Sequence, residues 1–100
     1  MSEKKINNIR IKIDEIDIRL LYLLNQRAEI VLDLAEEKIK KGLKLYDPER
    51  EREIFVRVTE KNPGPLASEA IVRLFERIID ESRSLERSKV YNKSESDSEK

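Results

Sequence analysis

Residues 2–41 read SEKKINNIRIKIDEIDIRLLYLLNQRAEIVLDLAEEKIKK, a run without proline or glycine. Within it Ile6, Ile9, Ile13, Ile16, Leu20, Leu23, Leu24, Ile30, Val31 and Leu34 recur at steps of three and four, the spacing of one helix face. The spacing predicts a helix from about residue 5 to 41, ~55 Å long at ~1.5 Å per residue. A compact chain of 100 residues has a radius of gyration of ~13 Å, hence a diameter of about 34 Å. The helix outruns any core that the chain can build around it alone. Its apolar stripe calls for a second chain.

One residue in the stripe is out of place. Arg27 has Leu20, Leu23 and Leu24 behind it and Ile30, Val31 and Leu34 ahead, all at helical spacing. A cation in an apolar face costs several kcal/mol unless an anion or hydrogen-bond acceptors meet it. That anion belongs either to the protein or to a ligand.

The rest of the chain continues the helical pattern. Lys40 and Lys41 suit the negative pole of the first helix, and Gly42 supplies a left-handed cap. At the other end Ser2, Asn7 and Asn8 are all competent N-caps, so its start stays open. Asp47-Pro48 opens a second helix, with Asp47 as N-cap and Pro48 at the first helical position, running to about Lys61 and turning Ile54, Phe55 and Val58 inward. Asn62-Pro63-Gly64-Pro65 breaks it. A third helix runs from about Leu66 or Ser68 to about Lys89, with Ile71, Leu74, Phe75, Ile78, Ile79 and Leu85 on its buried face. The expected fold is all-α, three helices in one domain over residues 1–90. Residues 91–100, almost wholly Ser, Glu, Asp, Asn and Lys, are expected to form a disordered tail.

Composition narrows the function. With 21 Lys+Arg against 21 Asp+Glu the net charge is zero, which argues against a nucleic-acid binder. The absence of cysteine excludes thiol catalysis and disulfides, and the absence of histidine removes the commonest general base and metal ligand. No run resembles a signal peptide or a membrane span, so the expectation is a soluble cytoplasmic protein with no membrane partner.

Arg27 is not the only polar residue on an apolar face. Lys38 lies about three turns on, with Val31, Leu34 and Ala35 behind it; Glu51 shares the stripe of Ile54, Phe55 and Val58. Ser82 follows Phe75, Ile78 and Ile79, and Glu86 is one turn further. Arg10 is a weaker case, flanked by Ile6 and Ile13 but also by Asp14 and Asp17. Any one of these fits a snorkelling side chain or half of an ion pair, Arg27 with Glu51 or Lys38 with Glu86. Asp17 is assigned to structure. Taken together, so many charges serving structure alone would destabilise a small core. Three cations, two carboxyls and a hydroxyl fit better as the lining of a pocket for an anionic ligand.

The same residues carry a resemblance. Ile9-Arg10 with Ile13-Asp14-Glu15-Ile16-Asp17, the run LLYLLNQRA from Leu20 to Ala28, and Lys38 are joined by Tyr46-Asp47-Pro48-Glu49-Arg50-Glu51, Asn62-Pro63-Gly64-Pro65-Leu66 and Ile78-Ile79-Asp80-Glu81-Ser82-Arg83-Ser84-Leu85. Together they resemble the all-helical chorismate mutases, across roughly residues 6 to 88. The resemblance implies an intertwined helical homodimer in which long first helices cross and each site draws on both chains. It implies a dicarboxylate substrate, chorismate, and no cofactor or metal. Arg10 would come from the partner subunit and join Arg27 in clamping the two carboxylates. Lys38 would donate to the ether oxygen, Glu51 and the Asp47 backbone amide would hold the ring hydroxyl, and Ser82 would meet a carboxylate, with Arg50 as a strut behind them. The last pocket position, often Gln in the family, is Glu86 here, and a carboxyl group donates to the ether oxygen only when protonated. Two other functions share these features: an isochorismate-pyruvate lyase on the same fold, and a non-catalytic helical dimerisation or regulatory module.

Overall fold

A computed structural model gives the backbone of residues 2–98 and the side chains of residues 2–90. It contains three helices, α1 (Ser2–Lys40), α2 (Pro48–Lys61) and α3 (Ser68–Ser98), and no strand among the described residues. The chain separates into two units, Met1–Ile30 and Val31–Lys100.

In the first unit α1 begins at Ser2, so Asn7 and Asn8 lie inside the helix and cap nothing. The apolar residues expected to need cover are bare. Ile6, Ile9, Ile13, Ile16, Leu20, Leu23 and Leu24 are between 43% and 59% exposed.

The second unit holds the two buried hydrophobic residues among those described, Ala35 on α1 and Ile79 on α3. α1 stops as the sequence requires. Gly42 has φ 70°, its N–H reaches Ile39 O at 3.1 Å, and Leu43 N–H reaches Lys38 O at 2.8 Å. That pair of bonds is the Schellman arrangement, which satisfies carbonyls the helix leaves orphaned. α2 starts on its expected cap: Asp47 Oδ1 accepts from Arg50 N–H at 3.1 Å, with Pro48 in the first turn. Between α2 and α3 the Asn62 side chain ties the turn twice. Its Oδ1 accepts from Gly64 N–H at 3.1 Å and its Nδ2 donates to Leu66 O at 2.7 Å.

α2 packs on α3, and Ile54, Phe55 and Val58 are half-buried, as are Ile71, Phe75 and Ile78. Leu74 and Leu85, expected on the buried face, are instead 53% and 38% exposed. At 3.6 residues per turn they lie roughly 120–140° round α3 from Ile79, at the far edge of the stripe. A Lys89–Glu36 ion pair at 2.8 Å fastens α3 to the end of α1. The helix end expected near Lys89 is passed, because nothing from Glu86 to Ser98 is proline or glycine and the backbone runs on helically. The side chains of the expected tail, and residues 99–100, lie outside the described part.

Candidate active site

The second unit brings together five of the expected residues. α1 supplies Lys38 from its last turn, α2 supplies Asp47 and Glu51 from its first, and α3 supplies Ser82 and Glu86. All five are half-buried.

Lys38 Nζ donates to Leu45 O at 3.4 Å, in the connector that leads to Asp47. This contact anchors the ammonium beside α2. Asp47 spends its carboxylate on the helix cap. Glu51, its side chain 17% exposed, is gripped by a guanidinium from α3: Arg83 Nε donates to Oε2 at 2.9 Å and Arg83 Nη2 to Oε1. The Arg83 guanidinium also lies over the Tyr46 ring, 5.2 Å from its centre, and 3.5 Å from Asp80. Ser82 Oγ donates to Ile78 O at 3.0 Å, so meeting a carboxylate requires its hydroxyl to turn.

Glu86 is the perturbed acid of the group. Burial pushes its pKa above the ordinary value of 4.5, the Lys38, Arg83 and Arg87 charges oppose the rise, and Glu51 adds to it. Burial wins. Over the pH range in which the raised pKa leaves it protonated, this carboxyl can act with the nearby Lys38 ammonium as a second donor, suited to an oxygen that gains negative charge.

The remaining expected residues lie elsewhere. Arg10 is exposed and Arg27 half-buried, both on α1 in the first unit. Arg50, expected as a strut, turns to the outer side of α2 and pairs with Glu53 at 3.3 Å. The guanidinium that braces Glu51 is Arg83's, a residue the sequence pattern did not single out. It had a signal: Arg83 follows the buried Ile79 by four residues and stands roughly 60° from Glu86 round the helix. An open groove of about 520 Å³ along the outer face of α2, lined by residues such as Arg52, Val56 and Glu60, contains none of the expected site residues. Among the described residues no cluster of His, Cys, Asp and Glu could hold a metal ion, and no helix is long and apolar enough to cross a membrane.

Comparison with known proteins places the chain. A family model for chorismate mutase type II matches residues 9–87. A chorismate mutase of Methanocaldococcus jannaschii is 34% identical over 85 residues, which cover 84% of this chain and 86% of that protein. A bifunctional chorismate mutase/prephenate dehydratase of Aquifex aeolicus is 38% identical over 88 residues, and the chain spans only 24% of its length. Among solved structures, form II of the chorismate mutase from Thermus thermophilus superposes with a TM-score of 0.81 at 35% identity, covering 83% of this chain and 94% of that one.

Proposed function

Since the chain belongs to the chorismate mutase type II family, we propose that it rearranges chorismate to prephenate, in the route to phenylalanine and tyrosine, as an intertwined homodimer. The observation that carries this reading is the trio in the second unit: Lys38 near a Glu86 whose pKa burial raises, with Glu51 held in place by Arg83.

The reaction is a one-step pericyclic shift within a single molecule. It asks for no nucleophile and no proton relay, which suits a chain without histidine or cysteine. Catalysis then comes from holding the side chain over the ring and from stabilising charge as the ether bond breaks. An acceleration of ~10⁶-fold corresponds to about 8 kcal/mol. Lys38 and protonated Glu86 donate to the ether oxygen, where negative charge develops; donors of this kind are worth about 3–4 kcal/mol each. Glu51 accepts from the ring hydroxyl, and the Asp47 backbone N–H donates to the hydroxyl oxygen. Arg27, together with Arg10 of the second chain, clamps the two carboxylates bidentately, and Ser82 adds a hydroxyl. These contributions reach the required barrier reduction without a metal or cofactor.

The bare face of α1 supports the second chain. Seven large side chains are about half exposed there, and full burial of such a side chain is worth ~1.5–3 kcal/mol. Covering the exposed halves in two chains stabilises by about 14 kcal/mol in gross terms, comparable to the upper end of the ~4–15 kcal/mol cost of association. A long crossing of helices covers more of these seven side chains, and so gains more, than contact at one end.

The test is direct: loss of chorismate absorbance on adding protein, with isochorismate and pyruvate detection run in parallel. Turnover of chorismate alone is expected. A folded dimer that leaves chorismate intact overturns the proposal, and pyruvate release from isochorismate alone moves the activity to the lyase.

A further inference from the structure

The Glu51 carboxylate has one direct neighbour that the reaction as described does not use. Arg83 reaches it from α3 with two nitrogens, one to each oxygen, the planar fork that only arginine makes. The same guanidinium rests on the ring of Tyr46, the residue immediately before the α2 cap. Arg83 is thus held from two sides, by a carboxylate in the first turn of α2 and by an aromatic face in the connector that feeds it.

A carboxylate offers about four lone-pair directions. A fork that takes one direction on each oxygen leaves the others pointing along lines fixed by the plane of the guanidinium. Resting on the reading of Glu51 as the acceptor of the substrate's ring hydroxyl, we infer that Arg83 is a positioning residue: it sets the direction from which Glu51 can accept that hydroxyl. It acts through Glu51, not on the reacting atoms. A lysine at this position would preserve the charge and lose the direction, since an ammonium has no plane to impose.

Arg83 has a second effect that a mere strut would lack. Its charge faces Glu86 along α3, alongside Arg87 on the same helix, Lys38 from α1 and Glu51 from α2. Arg83, Arg87 and Lys38 favour the ionised form of Glu86, while Glu51 disfavours it. Loss of the Arg83 charge leaves Glu86 protonated to higher pH.

The experiment compares Arg83→Lys, Arg83→Gln, Glu51→Gln and the double variant Arg83→Lys/Glu51→Gln with wild type in chorismate turnover, with thermal melting to fix the folded fraction. Binding of a ground-state hydroxyl appears in KM. Both Arg83 variants are expected to raise KM about tenfold, the worth of one misaligned hydrogen bond to a charged acceptor, with kcat within about twofold. Arg83→Gln is expected to shift the alkaline limb of the rate profile upward, and Arg83→Lys to leave it in place. In the Glu51→Gln background Arg83→Lys should add no further rise in KM, because the group it positions has gone. If KM of both single variants stays within twofold of wild type while only the melting temperature falls, or if the effects of Arg83→Lys and Glu51→Gln multiply, the positioning role is overturned. Should Arg83→Gln fail to fold, Arg83→Lys and its double variant decide the matter alone. A wild type inert toward chorismate overturns the mutase reading itself and this role with it; with an active wild type the outcome bears on Arg83 alone.

Discussion

Truncating Leu20 to alanine tests whether the bare face of α1 is an interface between two copies of the chain. Leu20 is 50% exposed, and a leucine gains ~1.5–3 kcal/mol on full burial, so covering its exposed half contributes about 1 kcal/mol per copy. A symmetric dimer carries the change twice, a loss of about 2 kcal/mol, or roughly 30-fold in the dissociation constant. The cavity left behind adds to that figure, since packed neighbours relax only in part. Sedimentation equilibrium across a dilution series reads the constant directly, and circular dichroism at each concentration separates dissociation from loss of helix. The melting temperature of wild type should rise with protein concentration, because association stabilises the folded chain by mass action. Two results refute the reasoning: a wild type that is monomeric and fully helical at every concentration, or a Leu20→Ala chain that associates as tightly as wild type.

Three other substitutions probe different links. Arg27→Ala should lower kcat/KM for chorismate by about 10²–10³-fold, the loss of a fixed donor to substrate charge, while sedimentation shows the dimer intact; a dimer that falls apart would return Arg27 to a structural role. Glu86→Gln replaces a group that must be protonated to donate by one that donates at every pH. Because the folded pKa of Glu86 lies above its ordinary 4.5, wild-type activity is expected to fall as pH climbs through the raised value, and the variant should lack that limb. The folded state also holds the proton more tightly than the unfolded chain, so stability should decline as pH rises from the ordinary value through the raised one, a decline absent in the variant. An alkaline limb unmoved by the substitution rules out Glu86 as the donor. Gly42→Ala meets nothing within 4 Å of the added carbon, so its cost is the left-handed backbone alone, about 1 kcal/mol and a fall of roughly 4–8 °C in melting temperature; an unchanged melting curve would show that the cap contributes nothing.

The sequence made the local features legible and left the distant pairings hidden. Gly42, Asp47 and Pro48 announced their roles because a cap is decided by residues within four positions of one another. Lys38, Glu51, Ser82 and Glu86 could be found because a helix repeats its faces at fixed intervals, so a charge in an apolar stripe stands out without knowledge of what it faces. Leu74 and Leu85 were misjudged by the same rule: periodicity gives the width of a stripe but not how much of it one neighbour covers.

Arg83 shows where such reading stops. Its partner Glu51 is 32 residues away, a separation that no helical repeat encodes, and an arginine among Glu81, Ser82 and Ser84 looks like solvated surface. Only when α3 lies against α2 does the fork close. The pairing also changes what Glu51 means. A half-buried carboxylate beside Ile54, Phe55 and Val58 reads in isolation as half of an ion pair, with Arg27 as the cation. Already answered by Arg83, it is a fixed acceptor with directions to spare, which favours a neutral hydroxyl over a cation as its guest. Glu86, one turn beyond Ser82, has no such fork, and burial raises its pKa instead. In the proposed reaction the two carboxyl groups take opposite tasks, one to accept and one to donate: Arg83 binds the first in a fork and reaches the second only through its field.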